Sequence, residues 1–168
     1  ISQMPHQEPL AQSFYVHEES GVFLTGLDLF FASKDDTLPV YVSIINLENG
    51  YPGTAEIDLS KTTIPAYDVN LSTTTVTDVL GGSWAAADTP TRITFKAPVF
   101  LEGLKDYCIF IKSDSFKYRV WTSYMKDLAA NGTGMVASQP SMGTLFKSQN
   151  ATTWSADQNQ DLTYKLYR

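Results

Sequence analysis

Apolar residues in this chain come in short bursts, each closed by a turn signal, and no long stretch keeps a helical period. That pattern restricts the fold more than any other feature, because short apolar or alternating runs bounded by Gly, Pro, Asn and Asp read as strands. Phe14-Tyr15-Val16 runs into the polar turn His17-Glu18-Glu19-Ser20-Gly21. Val22 to Ala32 reads as one long central strand, since apolar residues on both of its faces ask for cover on both sides. Val40 to Ile45 reads as the next strand, and Asn49-Gly50 with Pro52-Gly53 predicts a tight reversal after it. Glu56-Ile57-Asp58-Leu59 alternates like a half-exposed strand, and Lys61 to Pro90 reads as short edge strands and loops. Clear alternation resumes at Arg92-Ile93-Thr94-Phe95 and continues through Pro98 to Leu101, before a turn at Glu102-Gly103.

Tyr107 to Lys112 and Tyr118 to Tyr124 read as a strand pair across the loop Ser113-Asp114-Ser115. Asn131-Gly132-Thr133-Gly134 marks a flexible loop. In the closing strand, Leu162, Tyr164 and Leu166 share one face. The best helical candidate is Ser155 to Gln160, where Ser155 caps and Gln158 stands at the reciprocal position. The expected fold is an all-β antiparallel sandwich, jelly-roll-like, with at most one or two short helical turns. Its 168 residues suit a single domain. Aromatics at 12% favour pleated, half-buried surfaces. The chain lacks an initiator Met and reads as a fragment of a longer polypeptide.

A net charge of −6 with no basic run disfavours nucleic acid as a partner. No apolar run approaches the roughly 18 residues of a membrane helix. The single cysteine, Cys108, lies in the apolar run Tyr107 to Ile111 and reads as a buried thiol. It has no partner for an internal disulfide. His6 and His17 lack metal-ligand spacing. Asp35-Asp36 has the oxygen ligands calcium takes, but reads as a solvated turn. Glu18-Glu19 likewise reads as a turn and not as a glycosidase pair. Gly132 to Gly134 is a fragment without the rest of a dinucleotide fingerprint, and no nucleophile-elbow context occurs. The triplets beginning at Asn70, Asn131 and Asn150 match the glycosylation sequon but arise readily by chance. No catalytic constellation, metal or cofactor is expected, and the chain reads as a domain that binds or builds.

The three tryptophans are the remaining side chains with binding potential, since an exposed indole stacks on sugars and anchors interfaces. Trp121 lies in a strand and reads as core. Trp84 lies in the loop Gly82-Ser83-Trp84-Ala85, and Trp154 follows Asn150-Ala151-Thr152-Thr153.

Glu8-Pro9-Leu10-Ala11-Gln12-Ser13-Phe14, Gly21 through Phe31, Asn49-Gly50-Tyr51-Pro52 and Ala97 through Leu101 form an ordered set of segments. Gly143 through Asn150, Thr153-Trp154 and Gln160-Asp161-Leu162 complete it. In this set the chain resembles a β-rich module of virion proteins in contractile-tail, T4-like bacteriophages, among baseplate and tail-fibre-associated components. The resemblance runs over nearly the whole chain. Its first segment departs from the usual Asp-Pro-Leu-Ala-Gln by placing Glu8 first. It implies a structural, protein–protein assembly role in the virion, oligomeric by tail symmetry, with other tail or baseplate proteins as partners. Gly143 is expected to let the chain run close to a neighbour. Lys147, Gln149 and Asn150, beside Phe146 and Trp154, either tie a closing loop to the sheet or form a polar-plus-aromatic surface. The alternative function is a carbohydrate-binding module for host surface glycans. The candidate ligand or partner residues are Trp84, Trp154, Gln149 and Asn150.

Overall fold

A computed structural model of the chain describes residues 2–3, 8–124, 143–148 and 153–168. These residues form an all-β, sandwich-like fold in which every strand pairing is antiparallel. The strands are β1 (Ser2–Gln3), β2 (Leu10–Val16), β3 (Val22–Leu29), β4 (Phe31–Ser33), β5 (Val40–Glu48) and β6 (Tyr51–Glu56). They continue with β7 (Thr62–Ile64), β8 (Thr75–Thr77), β9 (Ser83–Ala85), β10 (Thr91–Leu101) and β11 (Lys105–Ser113). The last are β12 (Arg119–Val120), β13 (Thr122–Tyr124), β14 (Leu145–Ser148), β15 (Trp154–Asp157), β16 (Gln160–Leu162) and β17 (Tyr164–Tyr167). The helical content among the described residues is one 3-10 turn, Ala66–Asp68. No helix of the described residues is long and apolar enough to cross a membrane.

The largest sheet has the order β15-β14-β2-β11-β5-β6, with β7 also paired to β5. A second sheet, β10-β3-β17, closes over it. Between them lies one core, contributed by alternate residues of both sheets. Tyr107, Ile109 and Ile111 of β11 meet Leu24, Leu27 and Leu29 of β3 and Ile93, Phe95 and Val99 of β10 in it. The opposite residues of β11, Cys108 and Phe110, join a smaller cluster with Ala11, Ile45, Phe146 and Trp154 on the outer face of the large sheet. That two-sided burial is why β11 reads as a continuous apolar run. Cys108 is fully buried, and desolvation, with the charge of Asp106 adding to it, pushes its thiol up to about 12.

Local chemistry explains the turns that the sequence marks. Asn49 and Gly50 both have positive φ, 51° and 82°, and close the β5–β6 hairpin with a two-residue loop. β10 alternates along its whole length, but its register to β3 slips between Thr94 and Val99. The extra residues sit at a sheet edge and include Pro98, which has no N–H to offer a neighbouring strand.

Several expectations need correction. Glu56 to Leu59 is not a strand: β6 ends at Glu56, and a turn follows in which Leu59 has a positive φ of 71°. Val22 to Ala32 is not one strand: it breaks at Phe30, whose carbonyl accepts the backbone N–H of Trp121. β3 is central, as expected, yet its outer face is open near its start, with Phe23 59% exposed, while Asp28 farther along is buried beneath Arg92 and Tyr167. Ser155 to Gln160 is not helical but runs from β15 through a turn into β16. Asp157 Oδ1 accepts the N–H of Asn159 at 3.0 Å and sets that turn, while Ala156 pairs with Phe146 in the ladder.

A further correction concerns β11 and its expected hairpin partner. β11 is flanked by β2 and β5, whereas β12 pairs with β1 and β4, and β13 with β16. The intervening loop carries the chain from one sheet to the other and is fixed by side chains. Ser113 Oγ donates to Pro39 O at 2.8 Å, Ser115 Oγ to Asp35 Oδ2 at 2.6 Å, and Ser33 Oγ to Lys117 O at 2.7 Å. Asp35 therefore does not sit in a solvated turn. It is buried, and its Oδ1 also accepts the N–H groups of Thr37 and Leu38.

These hydrogen bonds, that from Ser115 foremost, hold the Asp35 carboxyl well below the usual carboxylate range. A depressed carboxylate pKa contributes stability above the unfolded value near 4, and that stability drains away as pH falls toward the folded value. Asp35→Asn is therefore expected to lower Tm at neutral pH, with the gap to the parent chain narrowing as pH falls below about 4. Thermal melts of both proteins across that range check it; a gap that stays constant with pH rules out the charge as the cause.

Candidate functional site

Segments near the two ends of the chain converge in space. Gln12 of β2 is 1% exposed and reaches the last strands: its Oε1 accepts the N–H of Leu162 at 2.7 Å, and its Nε2 donates to Asp161 Oδ1 at 3.2 Å. Ser13 exchanges backbone and side-chain hydrogen bonds with Thr144. Gly143 runs so close to β2 that a Cβ there would lie 2.5 Å from Ser13 O and 2.6 Å from Gln12 Nε2. The close approach expected of Gly143 is thus present. Asp161 is buried, and desolvation raises its carboxyl above the ordinary value. This cluster is internal and closes the sheet.

Trp84 and Trp154 stand on different sheets. Trp84 is not in a loop but in β9, half-buried. Its Nε1 donates to Asp78 Oδ2 at 2.7 Å, and the Arg119 guanidinium lies 4.7 Å from its ring centroid. Asp78 Oδ1 also accepts the N–H groups of Leu80 and Gly82. These bonds, that of Trp84 first, lower the Asp78 carboxyl pKa. The indole is thereby spent on holding the tip of the β8–β9 ribbon, from which Val79 and Leu80 project almost fully exposed. Trp154 is half-buried, edge-on to Phe110 at 6.1 Å. Trp121 donates its Nε1 to Ala85 O at 2.9 Å. Gln149, Asn150, His6 and the loop 131–134 lie outside the described residues. Among the described residues, no three His, Cys, Asp or Glu side chains gather to hold a metal ion.

Two surfaces escaped the reading of the sequence. On the outer face of β3–β10, Phe23 and Phe100 are cross-strand partners with ring centroids 5.0 Å apart, 59% and 45% exposed. A groove of about 460 Å³ beside them is lined by Leu59, Pro98 and Phe100 and rimmed by Glu56, Asp58 and Glu102. On the outer face of β5–β11, Tyr41 and Phe110 flank a hollow of about 280 Å³ floored by Ser43. In both cases the signal in the sequence was an aromatic on the second face of a strand whose first face is core, but alternation does not say whether that face is covered. No family model, curated protein or solved structure matches the chain.

Proposed function

We propose that the chain is a structural interaction module of a contractile-tail phage virion that assembles with other tail or baseplate proteins. The resemblance of its ordered segments, from Glu8-Pro9-Leu10-Ala11-Gln12 to Gln160-Asp161-Leu162, supplies the virion assignment. The observation that carries an assembly role is the exposed Phe23–Phe100 pair. Exposed paired aromatics beside an apolar groove are costly to leave in water and form the usual centre of a protein interface. Three carboxylates on the groove rim, with an overall charge of −6, suit a partner that offers an apolar knob ringed by Lys or Arg.

Immunogold electron microscopy with antibody against this domain tests the assignment on phage particles carrying the chain. Label on the baseplate or fibres of intact particles, or only after disassembly, is the expected result; absence in both states overturns the virion reading. Phe23→Ser with Phe100→Ser is expected to lower Tm only modestly, because both rings are about half exposed, and to abolish incorporation into particles. Incorporation at the parent level would remove this face from the assembly role.

A further inference from the structure

We propose that the hollow on the outer face of β5–β11 is a binding site for an uncharged sugar ring. The inference goes beyond the assembly reading and does not depend on it, since the Phe23–Phe100 face belongs to the other sheet.

The ladder register builds the site. Tyr41 stands opposite Lys112, and Ser43 opposite Phe110, so these four side chains share one face, with the two aromatics at diagonal corners. Diagonal neighbours lie roughly 7–8 Å apart, and with a residue as small as Ser43 between them the ladder leaves a gap between two ring systems. Trp154 packs edge-on against Phe110 and fixes that ring from the side. The hollow, about 280 Å³, is near the lower end of small-molecule sites.

Its polar groups are waiting for partners. Ser43 is 2% exposed and lines the hollow, and its hydroxyl makes no hydrogen bond to any described residue. That hydroxyl faces the solvent of the hollow and is open to an incoming group. The Tyr41 hydroxyl, the Lys61 and Lys112 ammonium groups and the Glu56 carboxylate are also without hydrogen bonds or ion pairs among the described residues. With Asp114 the rim carries two cations and two anions, so no net field selects a charged ligand. What such a rim matches is a group that donates and accepts at once, which is a hydroxyl. Aromatic walls match the apolar C–H face of a ring. A sugar ring offers both surfaces.

One ring of this size is expected to bind in the millimolar range. The test is titration of the 15N-labelled chain, followed by amide shifts, with the methyl glycosides of glucose, galactose, mannose and N-acetylglucosamine, and with sialic acid as a charged control. The expected result is saturable shifts at residues 41–43 and 110–112 with at least one uncharged glycoside. Tyr41→Ala, and Ser43→Val that fills the floor, are each expected to weaken that binding by about tenfold or more while preserving the dispersed spectrum of the folded chain. Trp84→Ala is expected to leave it unchanged. No shift at those amides with any of the four glycosides overturns the proposal, as does a response confined to sialic acid or one that survives both variants. None of those outcomes bears on incorporation into particles.

Discussion

Tyr118→Ala is expected to lower the unfolding free energy by about 4 kcal/mol, within the range for truncating a buried aromatic. Tyr118 is fully buried, its ring edge-on to Phe31 at 5.9 Å between centroids, and its hydroxyl donates to Leu38 O. The loss therefore has two parts. Removing the ring opens a cavity next to Phe31, and removing the hydroxyl strips the Leu38 carbonyl of its donor. Tyr118→Phe separates them: it keeps the ring and is expected to cost about 1 kcal/mol, the net value of one hydrogen bond. Urea titration of both variants measures the difference, with an unchanged m-value showing that the native and unfolded states remain comparable. Near-equal losses in the two variants would place the contribution of Tyr118 in its hydroxyl and not in packing. The same residue ties the Leu38 loop to the segment before β12, beside the Asp35–Ser115 bond, so this clasp carries the crossing between sheets.

Gln12→Ala is expected to cost about 3 kcal/mol. One buried side chain there serves two distant groups, the N–H of Leu162 and the carboxylate of Asp161, and leaving buried polar groups unmet costs roughly 1–3 kcal/mol each. Gln12→Glu is expected to be at least as damaging, because it replaces the Nε2 donor with an oxygen facing the Asp161 carboxylate. Gly143→Ala tests the same junction from the other side. Its added Cβ meets backbone at Ser13 O, which no rotamer change relieves, so a clear drop in Tm is expected. Thermal melts of the three variants check this; a neutral Gln12→Ala would mean that the closing strands are held by packing alone.

The segments around Gln12, Gly143 and Asp161 meet at this junction. They are one hydrogen-bonded seam, although 149 positions separate Gln12 from Asp161. Their roles were not legible in the sequence, because a glutamine on a strand gives no sign of which distant backbone it will meet. The candidate site shows the same limit. Trp84 and Trp154 attract notice by residue type, yet Trp84 is engaged by Asp78 and Arg119, and Trp154 acts on the hollow only through Phe110.

The sequence by itself determined what is local. Alternation set the all-β class, Asn49-Gly50 set a hairpin, and the apolar run around Cys108 set a strand with a buried thiol. Each follows from side-chain period or from backbone conformations that only certain residues tolerate. Tertiary structure alone decided which strands became neighbours. It separated β11 from β12, turned Ser155 to Gln160 into β15, a turn and β16, and left Phe23 open while covering Cys108. The physical reason is that a strand's pairing groups are the same in every strand, so partner choice rests on contacts between residues far apart in the chain.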